Sequence, residues 1–183
     1  MVDQSRTDNS CGTCTVCCLA LGIKESGKAA GVMCQHCTGT GCGIYETRYD
    51  VCRGFLCGWR MVSQLGDAWR PDRSGILLLV VEAKDVPEEH RPSGNGMQFV
   101  ILGGEKAIVR AGFADYVSTL VARNVAVYLS ADSPKTLINK YLRDLVAAKD
   151  KSSVVKMLVH IYRQHVELRG INAQKPLPWV EMQ

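Results

Sequence analysis

Cysteine is absent after residue 57, although nine cysteines lie between residues 11 and 57. Cysteines that served only as small buried residues would be spread along the chain, so their confinement indicates metal ligation or thiol chemistry. We also expect no export signal, and an odd number of thiols cannot pair completely within one chain. Both observations argue against a disulfide framework.

Long apolar runs and runs of charge of one sign are absent as well. The longest apolar run, Ile76 to Val81, is far shorter than the ~20 residues needed to span a bilayer. Met1 to Ser10 has neither the basic start nor the apolar stretch of a secretory signal. The net charge is +4, with lysine and arginine scattered singly, so no nucleic-acid partner is indicated. We expect a cytoplasmic protein with no membrane segment.

The composition divides the chain into two parts. Residues 1–70 are rich in cysteine, glycine and threonine and carry too few apolar residues to build much of a core. Residues 71–183 hold the apolar, periodic segments and predict an α+β domain with a short sheet and about three helices. The predicted fold class is therefore α+β, with a small, irregular, metal-binding module packed on an α+β domain.

The second part predicts two strands, a helix and a third strand in that order. The strands are expected at 76–81, 97–102 and 125–129, and Asn124 ends the helix between the last two. Ser133 followed by Pro134 predicts the start of another helix, and a final helix is expected from Ser152 to Leu168. The tail 175–179 contains two prolines and is expected to be extended.

The cysteine spacing points to metal ligation. In Cys11-x2-Cys14-x2-Cys17-Cys18, each C-x2-C turn brings two sulfur atoms to the same side. Adjacent cysteines normally point in different directions, so Cys17 and Cys18 either serve two metal centres or include a residue that is not a ligand.

Five further cysteines follow this first group. They form Cys34-x2-Cys37, Cys42 and Cys52-x4-Cys57. Nine sulfur atoms are one more than two tetrahedral sites need, and Cys34 is our choice for the spare. His36 lies in the same turn, so a mixed site containing Cys34 and His36 stays open, although an exposed loop imidazole is the simpler interpretation.

These cysteines are embedded in a recognisable pattern. Cys11-Gly-Thr-Cys14-Thr-Val-Cys17-Cys18 is followed by Cys42-Gly-Ile-Tyr45-Glu-Thr-Arg48 and then by Cys52-Arg53-Gly-Phe55-Leu-Cys57. Over residues 11–59 the chain resembles the CxxCxxCC family of zinc- or iron-chelating proteins, which includes flagellin lysine methylases. It departs from that pattern at Tyr49, where the family usually has proline.

The resemblance implies a ligand set and a choice of metals. The implied ligands are Cys11, Cys14, Cys17, Cys18, Cys37, Cys42, Cys52 and Cys57. Two zinc ions are our first expectation, because an all-thiolate set closes the coordination sphere and is typical of structural zinc. Mononuclear iron or a [4Fe–4S] cluster is the alternative, since Cys11, Cys14 and Cys17 match the opening of a ferredoxin motif, although Cys18 departs from its continuation.

For function we expect a metal-binding protein in which the module has a structural or recognition role, with metal ions and a protein as partners. The alternative is an iron–sulfur enzyme, such as the protein-modifying methyltransferases that the family includes. The chain has no glycine-rich loop that would hold S-adenosylmethionine in the usual α/β way, so we favour a protein that is not an enzyme. No residue is assigned a catalytic role.

The remaining polar residues have simpler interpretations. His160 and His165 are about 140° apart on the last predicted helix and cannot share a metal, and His90 is expected in a solvated loop. Thiolates around divalent ions leave negative charge, which nearby basic residues could offset. The candidates are Arg48, Arg53, Arg60, Lys24 and Lys28.

Overall fold

The computed structural model describes residues 10–131 and 134–167. The chain separates into two compact units, Met1–Arg73 and Ser74–Gln183. In the part of the chain that the structure describes, no helix has the length and apolar character needed to cross a bilayer.

Unit 1 consists of short helices joined by turns. Its helices are α1 (Val16–Ala20), α2 (Asp50–Gly54), α3 (Gly58–Met61) and α4 (Pro71–Ser74), the last of which ends in unit 2. Helices of four or five residues are too short to be stable alone, so other contacts must hold this unit together. Among the described residues of unit 1, the buried apolar side chains are Val16, Leu19, Ile23, Cys57, Trp59 and Leu65.

Unit 2 is built on a four-stranded mixed sheet in the order β1-β2-β3-β4. The strands are β1 (Ile76–Val81), β2 (Gly96–Ile101), β3 (Val127–Ser130) and β4 (Thr136–Leu137). β2 pairs with β1 antiparallel and with β3 parallel, and β3 pairs with β4 antiparallel. Because parallel strands need a long crossover connection, the helices between β2 and β3 follow directly from this topology.

Four α-helices complete the described part of unit 2. They are α5 (Glu105–Val109), α6 (Phe113–Ala122), α7 (Asn139–Ala147) and α8 (Lys151–Glu167). The core is centred on Phe99 of β2, which is fully buried. Its ring meets Phe113 edge-on at a centroid distance of 5.3 Å and Tyr116 at 6.1 Å, a favoured arrangement for aromatic pairs.

The α+β class is confirmed, and so is most of the predicted element order. β1 has the predicted bounds, β2 begins and ends one residue earlier than predicted, and β3 lies at 127–130 rather than 125–129. The helix before β3 ends at Ala122. Asn124 has a positive φ of 56°, a left-handed conformation that does not occur within a right-handed α-helix. The final helix begins at Lys151, and its predicted last residue, Leu168, lies outside the described residues, as does the tail 175–179.

The helix predicted to begin at Pro134 begins instead at Asn139, and that prediction is wrong. Thr136 and Leu137 form β4, opposite Leu129 and Tyr128. β4 is the edge strand of the sheet. Its hydrogen bonds to β3 outweigh the local preference of these residues for a helix.

His90 is also not solvated as predicted, because only 2% of its surface is exposed. It lies in a helical turn, Glu88–Ser93, between β1 and β2. This turn is bonded to the end of α6: Asn124 Nδ2 donates to the Glu89 carbonyl oxygen at 2.8 Å, and Ser93 Oγ donates to the Arg123 carbonyl oxygen at 3.1 Å. Long-range bonds of this kind leave no local signal in the sequence.

Candidate metal centre

The first group of cysteines is arranged by a turn followed by a helix. The Cys14 amide donates to the Cys11 carbonyl oxygen at 2.9 Å and so closes a turn. Helix α1 begins two residues later and carries Cys17 and Cys18. This single stretch therefore presents four thiols from backbone whose conformation is set by local hydrogen bonds.

The second group is brought to the first by backbone hydrogen bonds. The Cys34 amide donates to the Cys18 carbonyl oxygen at 3.0 Å, and the Cys37 amide donates to the Cys34 carbonyl oxygen at 3.0 Å. Cys37 and Cys42 then face each other in an isolated antiparallel bridge. Residues that are far apart in sequence thus form one continuous cluster with Cys18.

The third group lies in one short helix and at the start of the next. Cys52 is in α2, and its amide donates to the carbonyl oxygen of Tyr49 at 3.0 Å. Tyr49 has a φ of −55°, close to the value that proline imposes. Cys57 immediately precedes α3, and Trp59 in that helix is buried with its Nε1 donating to the Gly66 carbonyl oxygen at 3.1 Å.

Cys17 and Cys18 have thiols whose pKa values move in opposite directions. The hydrogen bond from the Cys18 side chain lowers the pKa of Cys17 to about 6, and the charge of Arg48 acts in the same direction. The same hydrogen bond raises the pKa of Cys18, and so do burial and the thiol of Cys37, to which Cys18 is also hydrogen-bonded. This hydrogen bond therefore favours ionisation of Cys17 and opposes ionisation of Cys18.

Burial opposes ionisation of two other thiols. It raises the pKa of Cys14 to about 12 and also raises that of Cys57. Backbone N–H groups oppose this effect: those of Val16 and Asp72 reach Cys14, and those of Arg60 and Trp59 reach Cys57. N–H donors directed at sulfur stabilise thiolates, and they commonly surround cysteine ligands.

The pKa of a third thiol, that of Cys52, is also raised. Burial raises the pKa of Cys52, and the charges of Cys17, Cys34 and Cys42 raise it further, whereas Arg48 lowers it. Mutual repulsion of this kind disappears when a cation binds among the sulfur atoms, because the cation favours every thiolate.

Whether the thiols fit a metal can be judged from the donors and their arrangement. Soft thiolates are suitable ligands for zinc and iron, and N–H groups already point at several of them. In residues 10–131 and 134–167, however, no three Cys, His, Asp or Glu side chains stand in an arrangement that could hold a metal ion. The donor chemistry therefore fits a soft metal ion, whereas the arrangement of the described side chains does not form a coordination sphere.

The predicted basic residues differ in what they contact. Arg48 acts on Cys17 and Cys52, as expected of a residue that offsets thiolate charge. Arg53 instead pairs with Asp50, at an exposed position. The Lys28 ammonium donates to the carbonyl oxygens of three residues. These residues are Leu19, Leu21 and Ala29.

One pair of charged residues near the thiols is not predicted from the sequence. Arg70 binds Asp72 through two hydrogen bonds of 2.7 and 2.8 Å, and both groups act electrostatically with Cys14. These residues follow Cys14 by more than fifty positions and carry no motif, so the sequence offers no signal for them.

His36 has partners other than a thiol. Its Nε2 lies 3.2 Å from Gln35 Nε2 and 3.5 Å from the hydroxyl oxygen of Tyr49. Its ring is also tilted against the Tyr49 ring at a centroid distance of 6.1 Å. These contacts agree with an ordinary loop imidazole and give no support to a mixed Cys/His site.

Comparison of the chain with protein-family models, with curated proteins and with solved structures finds no match.

Proposed function

We propose that residues 10–73 form a thiolate metal-binding module whose metal maintains a protein-recognition surface. The observation that carries this proposal is the backbone hydrogen bond between Cys34 and Cys18, which joins the first two cysteine segments, together with the bridge between Cys37 and Cys42. Cysteines without a shared role would not need backbone hydrogen bonds that hold their segments side by side.

The composition of unit 1 supports a structural role for the metal. Its few buried apolar side chains offer little hydrophobic stabilisation, and its helices are four or five residues long. Structural zinc contributes roughly 10–16 kcal/mol to the folding of isolated finger peptides, which is enough to replace a missing core. Cys11, Cys14, Cys17, Cys18, Cys37, Cys42, Cys52 and Cys57 would hold the metal, which would supply positive charge and cross-links between the three segments.

The exposed surface of unit 1 supports recognition of a protein. Several large apolar side chains there are exposed to solvent, and they would form part of the proposed surface. They are Val32, Met33, Tyr45, Val51 and Leu56.

Anaerobic purification followed by elemental analysis and an absorption spectrum tests the proposal. We expect a colourless protein with two equivalents of zinc and thiols that resist a thiol reagent until a chelator is added. A brown protein with a broad band near about 400 nm would replace zinc by an iron–sulfur cluster and favour the enzyme alternative. Reduced, folded protein that holds no metal and whose nine thiols all react freely would refute metal binding.

A further inference from the structure

We infer that Cys37 and Cys42, called here the bridge pair, form a reversible disulfide when a small-molecule disulfide oxidises them. Both residues carry free thiols and are partly exposed. The site needs two sulfur atoms and no metal ion. It is therefore independent of the metal-binding function proposed above.

Backbone pairing places the bridge pair face to face. The Thr38 amide donates to the Gly41 carbonyl oxygen at 3.1 Å, and the Gly43 amide donates to the His36 carbonyl oxygen at 2.8 Å. These hydrogen bonds lie one on each side of the bridge. The bridge pair is therefore a non-hydrogen-bonded antiparallel pair, in which the two side chains lie on the same face and approach each other most closely.

The backbone spacing of such a pair suits a disulfide. The Cα atoms of a non-hydrogen-bonded antiparallel pair are about 4.5 Å apart. Disulfides join cysteines whose Cα atoms are about 4.4–6.8 Å apart, and a larger separation requires the backbone to move. The hairpin therefore already meets the backbone requirement of the S–S bond.

The hairpin that holds the bridge pair is local and open to solvent. Its chain reversal includes Gly39, whose φ of 84° is readily adopted by glycine. Thr38, Gly39 and Thr40 are exposed, so a small oxidant can approach from this side. The two flanking hydrogen bonds join residues at most seven positions apart, from His36 to Gly43. The spacing of the pair thus depends on this short segment.

Oxidation of the bridge pair proceeds by thiol–disulfide exchange. One thiol loses its proton and attacks a sulfur atom of the small disulfide, which forms a mixed disulfide and releases one small thiol. The second thiol loses its proton and attacks the protein sulfur of the mixed disulfide, which closes the S–S bond and releases the other small thiol. The protein gives up two electrons and two protons, and the small disulfide takes them up. Because metal ligation requires thiolates, disulfide formation and metal ligation at this pair exclude each other.

Two other thiols lie near Cys37 but are held differently. Cys34 is joined to it through a turn, in which the Cys37 amide donates to the Cys34 carbonyl oxygen at 3.0 Å. The Cys18 side chain is hydrogen-bonded to that of Cys37. Within the described residues, the isolated bridge pairs Cys37 with Cys42 and with neither of these. Cys42 is therefore the partner whose spacing from Cys37 is set by strand pairing.

Peptide mapping of the oxidised wild-type protein tests this assignment. The protein is reduced, freed of metal with a chelator, equilibrated with reduced and oxidised glutathione, alkylated and digested with trypsin. Trypsin releases residues 29–48 as one peptide, which contains Cys34 and both members of the bridge pair. We expect alkylation of Cys34 alone in this peptide. A disulfide from Cys37 to Cys34, or a cross-link to the peptide that contains Cys18, would overturn the assignment.

The role of the folded hairpin is tested by comparing native buffer with concentrated urea. Against glutathione, the equilibrium constant for disulfide formation in the wild-type protein should be at least about tenfold higher in native buffer. Equal constants would refute the role of the backbone pairing. Cys42→Ser should lose the disulfide, whereas the matched control Cys34→Ser should keep it, and loss in Cys34→Ser would contradict the pairing. Purified protein that holds no metal would refute metal binding and leave these expectations unchanged.

Discussion

The Cα atom of Gly103 lies 2.8 Å from the position that a Cβ atom on Gly75 would occupy. Gly75 also has a positive φ of 67°, and its carbonyl oxygen accepts hydrogen bonds of 2.8 Å from the amides of Leu102 and Gly103. Two backbone segments at the start of β1 and the end of β2 therefore touch where only glycine leaves room.

Replacement of Gly75 by alanine should destabilise unit 2 strongly. The new methyl group meets backbone rather than a movable side chain, and the left-handed conformation adds strain, so we expect a loss of about 2–4 kcal/mol in the free energy of unfolding. Gly112→Ala is the control, because Gly112 has a φ of 84° and a Cβ atom there would meet no described atom within 4 Å. It should lose only about 1–2 kcal/mol, and urea unfolding of the two variants would contradict the steric argument if the losses were equal.

His90 should contribute to stability as a buried, hydrogen-bonded side chain. Its Nδ1 lies 2.9 Å from the Asn124 carbonyl oxygen, and since a carbonyl can only accept, Nδ1 carries the proton. His90→Ala removes this donor and leaves a cavity, so we expect a loss of about 2–4 kcal/mol in urea denaturation. The exposed His160 serves as control, and His160→Ala should change stability by no more than about 0.5 kcal/mol.

Asn139, at the start of α7, should contribute strongly to the stability of unit 2. Its Oδ1 accepts from the Val127 amide and its Nδ2 donates to the Val125 carbonyl oxygen, both at 2.8 Å, in a buried setting. Asn139→Ala leaves both backbone groups without this partner, and we expect a loss of about 2–3 kcal/mol. The neighbouring exposed Lys140 provides the control, and a Lys140→Ala variant as unstable as Asn139→Ala would refute this role.

Metal removal should affect the two units differently. Because unit 1 has few buried apolar side chains, a chelator should speed hydrogen exchange at its amides, including those of Cys34 and Cys37. Amides in β1 and β2, which are held by the sheet and the aromatic core, should keep their protection. Addition of zinc should reverse the change, and unchanged exchange in unit 1 would show that its fold does not depend on metal.

The sequence predicts the parts of this fold that depend on local patterns. β1 and β2 are predictable because they are apolar runs bounded by glycine and proline, and the α8 helix is predictable from its apolar spacing. β4 is not predicted, because two residues are too few to show a period. The burial of His90 is not predicted either, because it depends on Asn124, 34 positions away.

In the candidate site, too, local features are predictable from the sequence and long-range contacts are not. The spacing in Cys11-x2-Cys14-x2-Cys17-Cys18 predicts the turn that the Cys14 amide closes, since this turn depends on backbone geometry alone. It does not predict the hydrogen bond between the side chains of Cys17 and Cys18. The approach of Cys34 to Cys18 depends on a hydrogen bond across sixteen positions, and the position of Asp72 near Cys14 depends on the fold of the whole unit. No spacing rule contains this information.

The parallel pairing of β2 with β3 has a consequence for the order in which the chain assembles during synthesis. The sheet cannot close until Val127 has left the ribosome, since that residue pairs with Met97 across the whole crossover. All cysteines, by contrast, have been translated once Cys57 is made. If the thiols bind metal as proposed, they can therefore meet their first ions while the sheet is still incomplete.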